Sequence, residues 1–311
     1  MASSAIFRAA LIACAGLLSA VALHCGSETA TFDDDSDGSS DSPSSQNFGG
    51  SGGPGTSSGG GGNGNPEICD GIDNDGNGII DDVDVGQDGI CDCLKLATLG
   101  KAGIWGSGDV FANWLNSRSV HGAASLDDQV LTRELLDKYQ VIVAQDLSKN
   151  GRSYAPEEID TLRDWVKAGG GFLTLIGYDD PSERTNVNAL LSSFGMSYMS
   201  APILPKSGGL TIPVSTWIAH AVTDGITNIG VDNGYEPTGN GIALATHNSL
   251  TLLKAQEVDS GHVLVWGDEW ITYNSEWNDR ADYQVERFWL NMIKWLTPAG
   301  VCQVPIPTHI K

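Results

Sequence analysis

The strongest constraint on this chain is a run of oxygen-bearing side chains at alternate positions, from Cys69 to Asp84. Counted from Asp73 as position 1, Asp75 stands at 3, Asn77 at 5, Gly78 at 6, Ile79 at 7, Asp81 at 9 and Asp84 at 12. A hard cation such as calcium takes six to eight oxygen ligands. A twelve-residue loop supplies them at this spacing, with a glycine at position 6 for the sharp turn and a backbone carbonyl at position 7. Asp73, Asp75, Asn77, the Ile79 carbonyl, Asp81 and Asp84 are therefore the expected ligands. Without an ion the carboxylates repel one another, and the segment would be a solvated acidic spacer. Position 12 is Asp rather than the longer bidentate Glu, and Pro66 and Gly71 exclude a helix upstream, so the loop is not a complete EF-hand.

The N-terminus reads as an export signal. Arg8 is the only charge in residues 1–24, and an apolar run from Ala9 to Leu23, too short to span a bilayer, ends just before Cys25. A cysteine at that place resembles a lipoprotein processing site, which implies lipid on the Cys25 sulfur and a chain anchored in the cell envelope, at the outer membrane or cell surface. His24 departs from the small residue usual before such a cysteine, and an ordinary cleaved signal is the other reading. Residues 25–64 are Ser, Gly, Asp and Pro with only Phe32 and Phe48 as large apolar residues, a composition that cannot bury enough surface to order itself. As a disordered linker this segment would span about 35 Å.

Beyond residue 24 the chain carries 39 acids against 16 bases. No basic patch exists to hold nucleic acid. Nine of the acids, and no base, fall in residues 65–93, which contain the loop. Cys69, Cys91, Cys93 and Cys302 remain after Cys25, and an oxidising compartment favours two disulfides among them. Cys69 with either Cys91 or Cys93 would close the loop, and the remaining cysteine would reach Cys302.

Residues 97–298 have the length and alternation of one α/β domain, followed by a tail over 299–311. Strands are expected at 101–107, 141–145, 172–176, 210–214, 242–245, 250–257 and 262–266. Helices are expected at 109–116, 132–139, 155–168, 186–194 and 283–296. The third helix is the best marked. Pro156, Glu157 and Glu158 open it, Ile159, Leu162, Trp165 and Val166 share one face, and Gly169 to Gly171 stop it. Such alternation implies a doubly wound, mostly parallel sheet with both faces covered.

Two resemblances extend this reading. The segment Cys69 to Asp75 resembles the short metal-binding motif of many exported bacterial proteins, and more distantly the calcium loops of dockerin and thrombospondin type 3 modules. Gly76 stands where that bacterial motif has a second cysteine, and the all-oxygen ligand set favours calcium over copper. The run Glu157 to Leu173, the turn Ile218 to Gly225 and the segment Gly261 to Asp268 together resemble class I glutamine-amidotransferase-like, flavodoxin-type domains. That resemblance implies a flavodoxin-like sheet. It also implies a cysteine nucleophile after the central strand, where this chain has Gly177, Tyr178, Asp179 and Asp180 and no cysteine from 94 to 301. Thiol chemistry is excluded, and no Gly-x-Ser-x-Gly elbow replaces it.

No catalytic residue is assigned. His121, His220, His247 and His262 lack metal-ligand spacing. The surface expected to meet a ligand lies at the carboxyl ends of the strands, with Asp179, Asp268, Glu269 and Trp270 as its residues, since aromatics interleaved with carboxylates suit a sugar or peptide. The expected whole is a membrane-tethered exported protein with a structural calcium loop and a binding or scaffold domain for an envelope glycan or protein. A hydrolase acting through strand-end carboxylates is the alternative.

Overall fold

The computed structural model describes residues 65–101, 103, 108–150, 152–177, 181–202 and 212–311. The signal, Cys25, the linker, Asp179 and most of the Gly-rich turn after Lys101 lie outside the described residues. Strands and helices follow in the order β1 (Leu96–Gly100), α1 (Asp109–Ser117), β2 (Ala124–Ser125), α2 (Arg133–Leu136), β3 (Val141–Gln145), α3 (Pro156–Lys167), β4 (Gly171–Thr174), α4 (Pro181–Ser192), β5 (Met196–Pro202), β6 (Ile212–Pro213), β7 (Thr216–Trp217), β8 (Gly230–Val231), β9 (Tyr235–Gly239), β10 (Ile242–His247), β11 (Leu250–Val258), β12 (Gly261–Trp266) and α5 (Val285–Leu296).

Among these, eight strands form one sheet in the order β2-β1-β3-β4-β12-β11-β10-β7. The first five run parallel and the last three antiparallel. The antiparallel edge has a local cause. Only Asn248 and Ser249 join β10 to β11, and only Asp259 and Ser260 join β11 to β12. Two residues can turn a hairpin but cannot carry a crossover. Asn248, Ser249 and Asp259 take the positive φ that such tight turns require.

The side chains of the central strands divide between two cores. Val141, Val143, Leu173 and Leu264 pack with α1 and α5 on one face, whereas Ile142, Ala144, Phe172 and Val263 pack with α2, α3 and α4 on the other. Helices on both faces of a mainly parallel sheet are the doubly wound arrangement. The closing helix α5 supplies the most packing: Phe288, Trp289, Met292 and Leu296 are fully buried, and the Trp289 ring lies 4.3 Å from that of Phe111.

The first strand lies earlier than the sequence indicates. Leu96–Gly100 pairs with β3, and Lys101 already lies beyond it. Gly100, the last residue of the strand, must be glycine: its φ is 72° and a Cβ there would stand 1.9 Å from the Gln145 carbonyl oxygen. Of the expected strand at 210–214, Ile212 and Pro213 form β6, and residues 210–211 lie outside the described residues. Five strands were not anticipated: the two-residue β2, β7 and β8, and β5 and β9, which pair with each other in a small separate sheet.

The tail at 299–311 returns to the acidic loop. Val301 bridges Ile80, the Ile80 N–H donates to the Gly300 carbonyl at 2.7 Å, and the Cys302 N–H donates to the Ile80 carbonyl at 2.9 Å. Disulfides join Cys69 to Cys93 and Cys91 to Cys302. Of the two pairings open in the sequence, Cys93 takes Cys69 and Cys91 takes the tail.

Candidate metal loop and strand-end carboxylates

The acidic loop winds around its own carboxylates. Asp73 accepts from the Gly76 and Asn77 N–H groups through Oδ1, at 2.7 and 3.1 Å, and from the Gly78 N–H through Oδ2, at 2.8 Å. Gly76 and Gly78, at φ 76° and 91°, permit these tight returns. Asp75 accepts from the Asn77 N–H at 2.9 Å.

Glu67, which the twelve-residue template does not contain, reaches in from upstream. Its Oε2 accepts from the Asn74 and Asp75 N–H groups at 3.0 and 3.1 Å, and its Oε1 accepts from the Asp81 N–H at 3.1 Å. The carboxylate oxygens of Glu67, Asp73 and Asp75 lie within 4.8 Å of one another, the one such grouping of three among the described residues. No ion pair joins any of the three to a cationic side chain among those residues. Three half-buried carboxylates held this close suit a metal ion, and oxygen-only donors suit a hard one.

The structure divides the expected ligand set. Asp73 and Asp75 converge, and Asn77 is tied to Asp75 through its Nδ2 at 3.2 Å. Asp81 turns back to accept from the Asp70 and Gly71 N–H groups. Asp84 instead organises a second turn, accepting from the Asp88 and Gly89 N–H groups at 3.0 and 3.1 Å. Ile79 sits beside the bridge to the tail, its N–H donating to Asn77 Oδ1 at 2.7 Å.

At the other candidate site, the parallel strands end in buried acids. Gln145 ends β3 and Asp146 follows it, Gly177 follows β4, and Asp268 and Glu269 follow β12. Glu183 joins them from the first turn of α4. Glu183 accepts from the Asp146 N–H at 2.8 Å and from the Gly177 N–H. Burial, and then the nearby Glu269 carboxylate, push its carboxyl up to about 8. Glu269 accepts from Gln145 Nε2 at 3.2 Å and from the Tyr273 hydroxyl at 2.8 Å. A Cβ on Gly177 would stand 2.5 Å from Glu269 Oε1, so this carboxylate occupies the space directly over the end of β4.

Asp268 is 2% exposed and braces the backbone. Its Oδ2 accepts from the Asp232 N–H at 3.0 Å and its Oδ1 from the Glu269 N–H at 2.7 Å. Burial raises its carboxyl well above the ordinary range. Its neighbours are packing residues as well. Trp266 is fully buried against Phe288, and Trp277 packs on Trp114 with ring centroids 5.3 Å apart. Trp270 is half-buried on Tyr273, 4.9 Å between centroids. The sequence places Asp268 and Glu269 at a strand end but does not reveal Glu183, which lies ahead of the helix expected at 186–194; α4 begins at Pro181 and takes Glu183 into its first turn.

No family model and no curated protein matches this sequence. Among solved structures, the chain is similar to the cytoplasmic protein STM1381 from Salmonella typhimurium LT2, at 14% identity and a TM-score of 0.51, over 66% of this chain and 100% of that one. The likeness is one of fold. The mmIFT52 N-terminal domain follows at 12% identity and a TM-score of 0.49, over 65% and 96% of the two chains. The exo-beta-1,4-mannosidase Op5Man5 from Opitutaceae bacterium strain TAV5 matches at 17% identity and a TM-score of 0.40, over 66% of this chain and 36% of the enzyme.

Proposed function

We propose that this chain is an exported, lipid-anchored envelope protein in which a calcium loop and two disulfides fasten a non-catalytic α/β binding or scaffold domain to its tether. The convergence of Glu67, Asp73 and Asp75 beside Cys69–Cys93 and Cys91–Cys302 carries the reading. Calcium offsets two of the three carboxylate charges, and the disulfides hold the loop against the tail. The anchor at Cys25 and the linker at 25–64 keep the domain near the membrane and clear of its surface. The α/β domain is of the glutamine-amidotransferase-like kind with its nucleophile lost, since Gly177 and the Glu269 carboxylate occupy the end of the central strand.

Thermal unfolding tests the reading. Calcium at a hundred times its dissociation constant adds about 2.7 kcal/mol to a protein that binds it only when folded. The midpoint is expected to rise with calcium and fall back with a chelator. A midpoint indifferent to both removes the metal from the account.

One observation favours the hydrolase alternative. Glu183, a proton donor at neutral pH, stands beside Glu269, and such an acid and carboxylate pair is a pattern of acid–base catalysis. Hydrolysis of an envelope glycan, abolished by Glu269→Gln, would establish that reading.

A further inference from the structure

The last turn of α5 leaves one large aromatic half-exposed, Trp295, while its neighbours Met292, Ile293 and Leu296 are buried. Two grooves meet at this ring. One, of about 230 Å³, is lined by His262, Asn291 and Thr297, and the other, of about 340 Å³, by His220, Gln256 and Glu257. The His262 ring lies 4.2 Å from the Trp295 ring and the His220 ring 5.3 Å from it, edge-on. These histidines are 42 positions apart, and only the fold brings them together. The cluster sits where β12 begins. The six-residue strand puts about 20 Å between it and the carboxylates at the other end.

Hydrogen-bonding capacity is left over here. Gln256 Oε1 is shielded from bulk water and meets no hydrogen-bond partner among the described residues, and His262 Nδ1 is likewise shielded, its ring within reach of the Trp295 backbone. An unmet buried polar group costs about 1–3 kcal/mol, and native proteins tend to retain one where water or a ligand satisfies it. His220 receives the Val222 N–H at Nδ1, which leaves Nε2 for another partner. Lys294, which also lines the first groove, gives one of its three Nζ donors to the Val304 carbonyl at 2.7 Å.

We propose that Trp295, with His220, His262, Gln256 and Glu257, binds a neutral glycan. A pyranose ring offers an apolar face to stack on the indole and hydroxyls that both donate and accept, which matches this set of groups. A purely apolar ligand would leave the imidazoles and the amide unmet. An anionic one would face the Glu257 carboxylate. The inference rests on reading the α/β domain as a binding module, and it concerns a surface separate from the calcium loop.

Titration of the full chain with chitotriose and with cellotriose, followed by tryptophan emission and by heat, tests it. Saturable binding of at least one trisaccharide is expected. Trp295→Ala should weaken it about tenfold, the loss usual for an aromatic anchor, and Gln256→Ala by a smaller factor. Circular dichroism checks that each variant folds, and if Trp295→Ala does not, His262→Ala and Gln256→Ala decide. Binding unchanged in the folded variants, or no binding of either sugar by the parent, overturns the site. The calcium dependence of unfolding is read separately, so its failure and this one are distinguishable.

Discussion

Unfolding free energy should fall by about 2 kcal/mol as the pH is raised from about 6.5 to beyond 8, and Glu183→Gln should remove most of that slope. Burial and the Glu269 carboxylate raise the Glu183 carboxyl in the folded chain to about 8, from 4.5. A carboxyl raised by folding binds its proton more tightly in the native state. Its contribution is complete below the unfolded value and is lost as pH rises through the folded one. At about 1.4 kcal/mol for each pH unit between the two values, the whole window is worth roughly 5 kcal/mol. Asp268, also raised by burial, acts in the same direction. His220 and His262, lowered by burial, act the opposite way, so the slope is cleanest above their ordinary range. Gln at 183 keeps an acceptor for the Asp146 N–H without the charge. Urea titrations across this range measure the effect. A flat profile in the parent, or the same slope in the variant, contradicts it.

The second large effect concerns the clasp. Cys91 and Cys302 are 211 positions apart, and Cys69 and Cys93 are 24 apart. Loop-closure entropy makes the longer link worth about 5 kcal/mol and the shorter about 3.5 kcal/mol. The Cys91→Ser, Cys302→Ser variant should therefore lose more stability than the Cys69→Ser, Cys93→Ser variant in denaturant unfolding. It should also loosen the tail from the acidic loop, where only the Val301 bridge and two backbone hydrogen bonds would remain, while Gln303 and Val304 stay bonded to the end of α5. The reverse order would mean that the acidic loop, rather than the tail, depends most on its crosslink.

The residues that were legible in the sequence are those with local causes. Strand β3 opens with four apolar residues, Val141 to Ala144, and α3 is bracketed by a proline and acids at its start and glycines at its end. Asp73 and Asp75 were readable because a cation loop fixes their spacing. Glu67 was not, since it reaches the cluster from outside that frame. Strands β5 and β9 carry Ser, Pro and Gly and exist through their pairing with each other, which local propensity cannot show. Glu183 and the pair of histidines at Trp295 belong to the same class. Their neighbours are distant in the chain, and burial gives each its chemistry.

The central claim is that the acidic loop is a calcium site. Isothermal calorimetry with calcium, on the parent and on the Asp73→Ala, Asp75→Ala variant, tests it most directly. Saturating heat is expected in the parent and none in the variant. Absence of heat in the parent, or equal heat in both, would contradict it.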